Sequence, residues 1–206
     1  MLFLGPLYNL FSSILATRIN HFALVKLTIL ALDKTLFYFL IFVIIRLIWL
    51  LSIRHRRSLK SEACVWLLAF YTIFILMFTT FRNTYFPWQL NFNFSRPISD
   101  ANFIFLKETW KLVYAQSELD FFYNSLGNIL CFIPLGFLTP IVFSKKENFL
   151  KILVAGILFS VLIETLQFLL ATGVSDIDDV FFNTIGVVIG YFFYRIGKKI
   201  YNKFNS

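Results

Sequence analysis

Charge is what this chain has least of. Only 15% of its 206 residues are Asp, Glu, Lys or Arg, against 59% hydrophobic residues, and the mean hydropathy is +0.76. A soluble domain of this length needs a polar surface that such a composition does not supply. Cysteine and histidine are scarce too, with two of each. Cys64 and Cys131 fall inside apolar runs, where a thiol behaves as a small hydrophobe, so neither a disulfide framework nor a metal site is expected. His21 and His55 flank the apolar runs, which leaves no Ser–His or Cys–His pair for nucleophilic chemistry. Phosphate-loop, zinc and dinucleotide fingerprints are missing, and no cofactor is expected. The net charge of +8 does not form a basic groove. Most bases lie in short clusters between apolar runs, a topology signal and not a nucleic-acid footprint.

What the chain has is apolar and aromatic runs, with aromatics at 20%. A helix needs on the order of 20 apolar residues to cross the hydrocarbon core. Five segments qualify: residues 35–53, 63–81, 121–143, 152–171 and 180–194. The last is short enough that Arg195, Lys198 and Lys199 are expected to reach outward to the interface. The fold class is therefore all-α, a polytopic transmembrane helix bundle of about five spans. Residues 1–32 are interrupted by Pro6, Asn9, Arg18 and Asn20, which fits an N-terminal interfacial or re-entrant helix better than a sixth span. No cleaved signal peptide is read there. The expected divisions are 1–60 for that segment with the first span, 61–200 for a four-span domain with an outer loop at 82–120, and 201–206 for a cytoplasmic tail.

Counting Lys and Arg in alternate connections gives sidedness. Arg54, Arg56, Arg57, Lys60, Lys145, Lys146, Lys151, Arg195, Lys198, Lys199 and Lys203 share one side, which is expected to be cytoplasmic, together with the C-terminus. Asp176, Asp178 and Asp179 lie on the other. The outer loop starts with interface anchors Tyr85, Phe86 and Trp88. Residues 103–114 read as a short amphipathic helix, and the whole loop as a lid on the membrane surface.

Intramembrane polar groups are costly in hydrocarbon and face the bundle interior. Glu164 and Asn128 each lie ~10 Å below the outer interface at helical rise, and Asn183 ~6 Å. Helical phase places Gly156, Ser160, Glu164, Gln167 and Ala171 on one face of the fourth span, and Asp179, Asn183, Gly186 and Gly190 on one face of the fifth. Asn124, Asn128 and Cys131 share a face of the third. Packing these faces together surrounds an outward-opening polar pocket with Asn128, Glu164, Gln167, Asp176, Asp179 and Asn183.

Plainer roles compete at each position. Gly186 and Gly190 form a GxxxG close-packing motif, and Pro134 and Pro140 kink the third span while Gly136 allows close approach. Asn128 and Gln167 serve equally well as interhelical glue or as ligand contacts. Arg46 reads as a snorkelling anchor. The acids at 176–179 in part serve a helix N-terminus. Glu164 resists such a reading, since a lone carboxyl at that depth has to be neutral or paired. Two outcomes are expected: a neutral carboxyl with a raised pKa, or pairing with Arg82 reaching in from the outer end of the second span.

The stretches NSLGNILCFIPLGFLTP (residues 124–140) and LIETLQFLLATGVSDIDDVFFNTIGVVIGYFF (residues 162–193) resemble the VanZ family, whose founding member is associated with teicoplanin resistance. The matching positions are Asn128, Phe132 to Gly136, Glu164, Gln167, Gly173, Asp176, Asp179, Asn183, Thr184, Gly186 and Gly190. The likeness continues more faintly through residues 95–109, with Phe105 and Leu106 where a Pro-Phe pair is expected. It implies a Gram-positive cell-membrane protein linked to glycopeptide susceptibility.

The leading functional expectation is a non-enzymatic protein whose outer pocket binds a membrane lipid, a lipid-linked cell-wall precursor or the lipoglycopeptide itself. An intramembrane enzyme acting on an envelope lipid is the alternative, with Glu164 as general acid or base and Asp176, Asp178 and Asp179 holding a divalent ion. A small transporter is less supported, because the polar residues stay in the outer half of the spans and no inverted repeat is evident. Nothing in the sequence sets an oligomeric state.

Overall fold

The computed structural model describes residues 1–16, 22–52, 58–106, 118–143 and 148–204, with backbone alone for 118–124. Among these residues the chain forms six helices: α1 (Gly5–Leu15), α2 (Phe22–Ser52), α3 (Leu59–Thr79), α4 (Glu118–Val142), α5 (Phe149–Leu169) and α6 (Ile177–Phe204). Two single 3₁₀ turns, Pro87–Gln89 and Ile98–Asp100, interrupt the connection that follows α3. Helices α2 to α6 are each long and apolar enough to cross a membrane, whereas α1, at 11 residues, spans only ~16 Å and is not. The protein is an all-α, multi-pass membrane protein.

The buried side chains show where the core lies. In the apolar window of α4, 39% of residues are buried, against 6% in that of α2. Helices α4, α5 and α6 therefore pack mainly on one another, and α2 turns most of its surface to lipid. The core joins Phe132 and Leu135 of α4, Ile152 and Ile163 of α5, Val187, Tyr191 and Tyr194 of α6, and Ile75 of α3. Lipid competes for apolar surface as well as protein does, so close backbone contact has to hold such helices together. Glycine provides it here. A Cβ at Gly186 would fall inside contact distance of the Ile129 carbonyl oxygen, and one at Gly190 inside that of Ile133. From α4, a Cβ at Gly136 would likewise meet the Val187 carbonyl. Helix α4 runs on through both Pro134 and Pro140.

Helix ends follow local chemistry. Ser58 and Asn148 cap α3 and α5, their side chains accepting from Ser61 N at 3.3 Å and Leu150 N at 3.0 Å. Asp176 precedes α6 and accepts from Asp178 N at 2.9 Å. Helix α5 ends in a Schellman arrangement, with Thr172 N donating to Gln167 O at 3.1 Å and Ala171 N to Phe168 O at 3.3 Å. Ala171 takes the left-handed position, φ 50°, that glycine normally fills.

Several boundaries differ from the expected ones. Helix α2 starts 13 residues before the expected first span, because Asp33 and Lys34, placed outside it on charge, are fully buried and satisfied sideways. Helix α6 is 28 residues long and not 15. Arg195, Lys198 and Lys199 are good helix formers that carry it past the apolar segment, into the expected tail. Residues 103–106 are not helical: Asn102 forms a bridge with Asp176, and Leu106 has φ 59°. The remainder of the expected amphipathic helix, 107–114, lies outside the described residues. Arg46 is not an anchor reaching for water. It forms a two-pronged ion pair with Glu62 of α3, at 2.6 and 2.8 Å, beneath the Trp49 ring.

Candidate functional site

The candidate site lies where the C-terminal end of α3, the N-terminal half of α4, the end of α5 and the start of α6 meet. Each helix presents its polar groups at helical spacing: Asn128 and Cys131 on α4, Glu164 and Gln167 on α5, Asp179 and Asn183 on α6. All six line one cavity of about 310 Å³, together with Thr79, Arg82 and the α5–α6 connection at Gly173 and Val174. Of the residues expected around the pocket, Asn128, Glu164, Gln167, Asp179 and Asn183 thus come together. Asp176 does not line the cavity. Its backbone N–H donates to Glu164 Oε2 at 3.1 Å, and its carboxylate accepts from Asn102 Nδ2 at 2.9 Å.

The bonds inside the cavity join helix to helix. Asn128 Nδ2 donates to Asp179 Oδ1 at 2.6 Å, linking α4 to α6. Gln167 Nε2 donates to the Thr79 carbonyl at 3.2 Å, linking α5 to α3. Asn183 Nδ2 donates to Ser160 Oγ at 2.8 Å, linking α6 to α5. The expected pairing of Glu164 with Arg82 is absent. Arg82 Nε is held by the Thr79 carbonyl at 2.9 Å, which leaves the guanidinium at the cavity wall as a neighbouring positive charge.

The connection after α3 roofs this end of the bundle. Asn93 N donates to Leu169 O at 2.7 Å, and Asn102 N to Ser175 O at 2.8 Å, while Ile177 N donates back to Asn102 O at 3.1 Å. Arg96 Nη1 reaches the Phe168 and Gly173 carbonyls at 3.0 and 3.2 Å, with its guanidinium over the Phe168 ring. Leu106 N donates to Asp178 Oδ1 at 2.6 Å. Asp176, Asp178 and Asp179 therefore hold three different partners, and among the described residues no group of three or more His, Cys, Asp or Glu is disposed to hold a metal ion. Arg96 and Asn102 escape sequence reasoning because a connection without periodicity gives no hint of partners more than 70 residues away.

A second polar cluster, also missed, fixes the roof's other end. Asp33 of α2 accepts the N–H groups of Leu2, Phe3 and Leu4 at 2.8, 2.7 and 2.6 Å and the Tyr85 hydroxyl at 2.8 Å. Burial and that bond to a carboxylate push the Tyr85 phenol above its ordinary range. Lys34 Nζ donates to the Phe81 and Arg82 carbonyls at 2.7 and 2.8 Å, so it sets the backbone that carries Arg82 to the cavity. The adjacent acid and base in LDKT, at the edge of an apolar run, was the one sequence signal for this cluster.

Five apolar helices, glycine-mediated packing and a polar cavity at one end define a small multi-pass membrane protein. The sequence profile of the VanZ/LLP1 family matches residues 68–198, and the chain belongs to that family. It is 34% identical over 82 residues to Protein VanZ of Enterococcus faecium, an overlap of 40% of this chain and 50% of that protein. The chain thus spans about half the length of the curated relative it matches. No solved structure is significantly similar to it.

Proposed function

We infer that this protein lowers susceptibility to teicoplanin-type lipoglycopeptides by holding an envelope lipid or a lipid-linked cell-wall precursor in the cavity at the roofed end of the bundle. The observation that carries the reading is the cavity itself, in which Asn128, Glu164, Gln167, Asp179 and Asn183 converge from three helices. Polar groups buried at membrane depth are retained where they meet a ligand or one another, and membership of the VanZ/LLP1 family agrees with an envelope role. In this reading the protein sits in the Gram-positive cell membrane. The basic connections and the C-terminus face the cytoplasm, and the cavity faces the cell wall, where acyl-bearing glycopeptides act.

The test is drug susceptibility in a sensitive Gram-positive host expressing the wild type, Glu164→Gln or Asp179→Asn at matched membrane abundance. Protection against teicoplanin, lost in both variants, supports the reading. Full protection by both removes the cavity from it. A second reading, an intramembrane enzyme, draws on two carboxylates and a guanidinium lining one cavity, a set able to move protons. Turnover of a labelled envelope lipid by purified protein would favour it over binding.

A further inference from the structure

The cavity is unevenly furnished, and the unevenness says what enters it. Asn183 is 3% exposed, and its Nδ2 is taken by Ser160. Its Oδ1 is buried and accepts nothing. A buried amide oxygen with no donor is destabilising by about 1–3 kcal/mol, a deficit that a ligand, an ion or a water makes good. The carboxylates on the same wall are also half-used. Among the described residues, Glu164 accepts one N–H through Oε2 and Asp179 accepts one through Oδ1. Each has a second oxygen with no donor in the cavity that Asn183 also lines. The donors here are already engaged: Asn128 Nδ2 by Asp179, Gln167 Nε2 by Thr79, Asn183 Nδ2 by Ser160. Among the described residues, the donors left over are the outer part of the Arg82 guanidinium, since Nε alone is held, by Thr79, and the backbone N–H groups of Gly173 and Val174 at the α5–α6 connection.

Resting on the binding reading above, we propose that the cavity takes a lipid head group with several N–H or O–H donors, such as an ammonium or a hydroxylated group, inserted donor end first. The donors meet Glu164, Asp179 and Asn183, and the phosphate stays outside on Arg82. A bare phosphate pushed inward past Arg82 would face the carboxyl groups of Glu164 and Asp179 and the Asn183 amide oxygen, an acceptor-rich wall. A quaternary ammonium has charge but no N–H, so it leaves the Asn183 oxygen unpaired. The site thus discriminates between head groups by what they donate, the kind of selection in which an unmatched buried acceptor penalises the wrong ligand.

The experiment is native mass spectrometry of the purified full-length chain, released from micelles doped equally with dioleoyl lipids bearing ethanolamine, glycerol, choline or unsubstituted phosphate heads. The expected result is retention of the ethanolamine or glycerol lipid at least tenfold over the choline and phosphatidic acid lipids. The ranking of those two tells an ammonium site from a hydroxyl site. Glu164→Gln and Asn183→Ala should each bring the ratio toward unity. Asp179→Asn, which alters another of the three acceptors with its shape kept, is the backup if Asn183→Ala does not fold. Soluble phosphoethanolamine and glycerol phosphate, added to compete, separate recognition of a head group alone from recognition of a membrane-anchored one. Equal retention of all four lipids, or a preference for phosphatidic acid, overturns the head-group assignment and leaves the binding reading standing. Retention of no lipid overturns both.

Discussion

Two buried polar clusters lie toward the roofed end of this bundle, and they are built in opposite ways. Around Asp33 and Lys34 every acceptor has a donor: three backbone N–H groups and a phenol meet the carboxylate, and two carbonyls meet the ammonium. Around Glu164 and Asp179 acceptors exceed donors, an amide oxygen is orphaned, and there is a cavity. A closed network rigidifies and specifies a fold, whereas an open one keeps a deficit that only a ligand or water makes good. Satisfaction of hydrogen bonds, more than burial or charge, separates the structural cluster from the candidate binding cluster.

That contrast breaks most sharply at Asp33. Asp33→Ala strips the acceptor from three N–H groups and the Tyr85 hydroxyl, and it should destabilise the protein by about 3 kcal/mol, read as a lower midpoint in denaturant unfolding of the purified protein. A change below about 1 kcal/mol would show that water replaces the carboxylate. Next comes the frame of the open cluster. Gly190→Ala sets a methyl against the Ile133 carbonyl and should cost about 2 kcal/mol, whereas Gly197→Ala, with nothing within 4 Å, should be neutral or stabilising; equal melting of the two would deny close α4–α6 packing. Ala171→Gly relieves the left-handed residue at the end of α5 and should raise stability by about 1 kcal/mol. A drop in melting temperature would mean that the Ala171 methyl makes contacts worth more than the strain. The smallest stability effect belongs to Glu164→Gln. Replacing a carboxyl of an under-satisfied cluster with an amide of the same shape should shift stability by less than about 0.5 kcal/mol while it abolishes protection against teicoplanin. A loss of stability as large as that of Asp33→Ala would make Glu164 a structural residue after all.

The sequence made the spans legible because lipid enforces apolar runs of a set length. It missed their ends where a polar residue is satisfied by a neighbour instead of by water, as Asp33 and Lys34 are in α2. Helical phase put Asn128, Glu164, Gln167, Asp179 and Asn183 on converging faces, and depth put them at a common level. Phase and depth do not choose partners. Glu164 has an Asp176 backbone N–H where Arg82 was expected, since the turn before α6 brings that N–H closer than a side chain already held by Thr79. The roof was the least legible part. Arg96 and Asn102 find their partners only after α5 and α6 have packed, and no spacing within residues 82–106 records that.

The glycine contacts also have a mechanical meaning. Gly186 seats beneath the Ile129 carbonyl and Gly190 beneath that of Ile133, one helical turn apart, like two teeth of a rack. Sliding α6 by a turn in one direction would press Tyr194 onto the second seat, and in the other it would press Phe182 onto the first. Neither seat admits even a methyl. The α4–α6 wall, with Asn128 and Asp179 locked across it, therefore behaves as a single rigid body. In the binding reading, the movement that admits a molecule to the cavity then falls to the end of α3 and the roof.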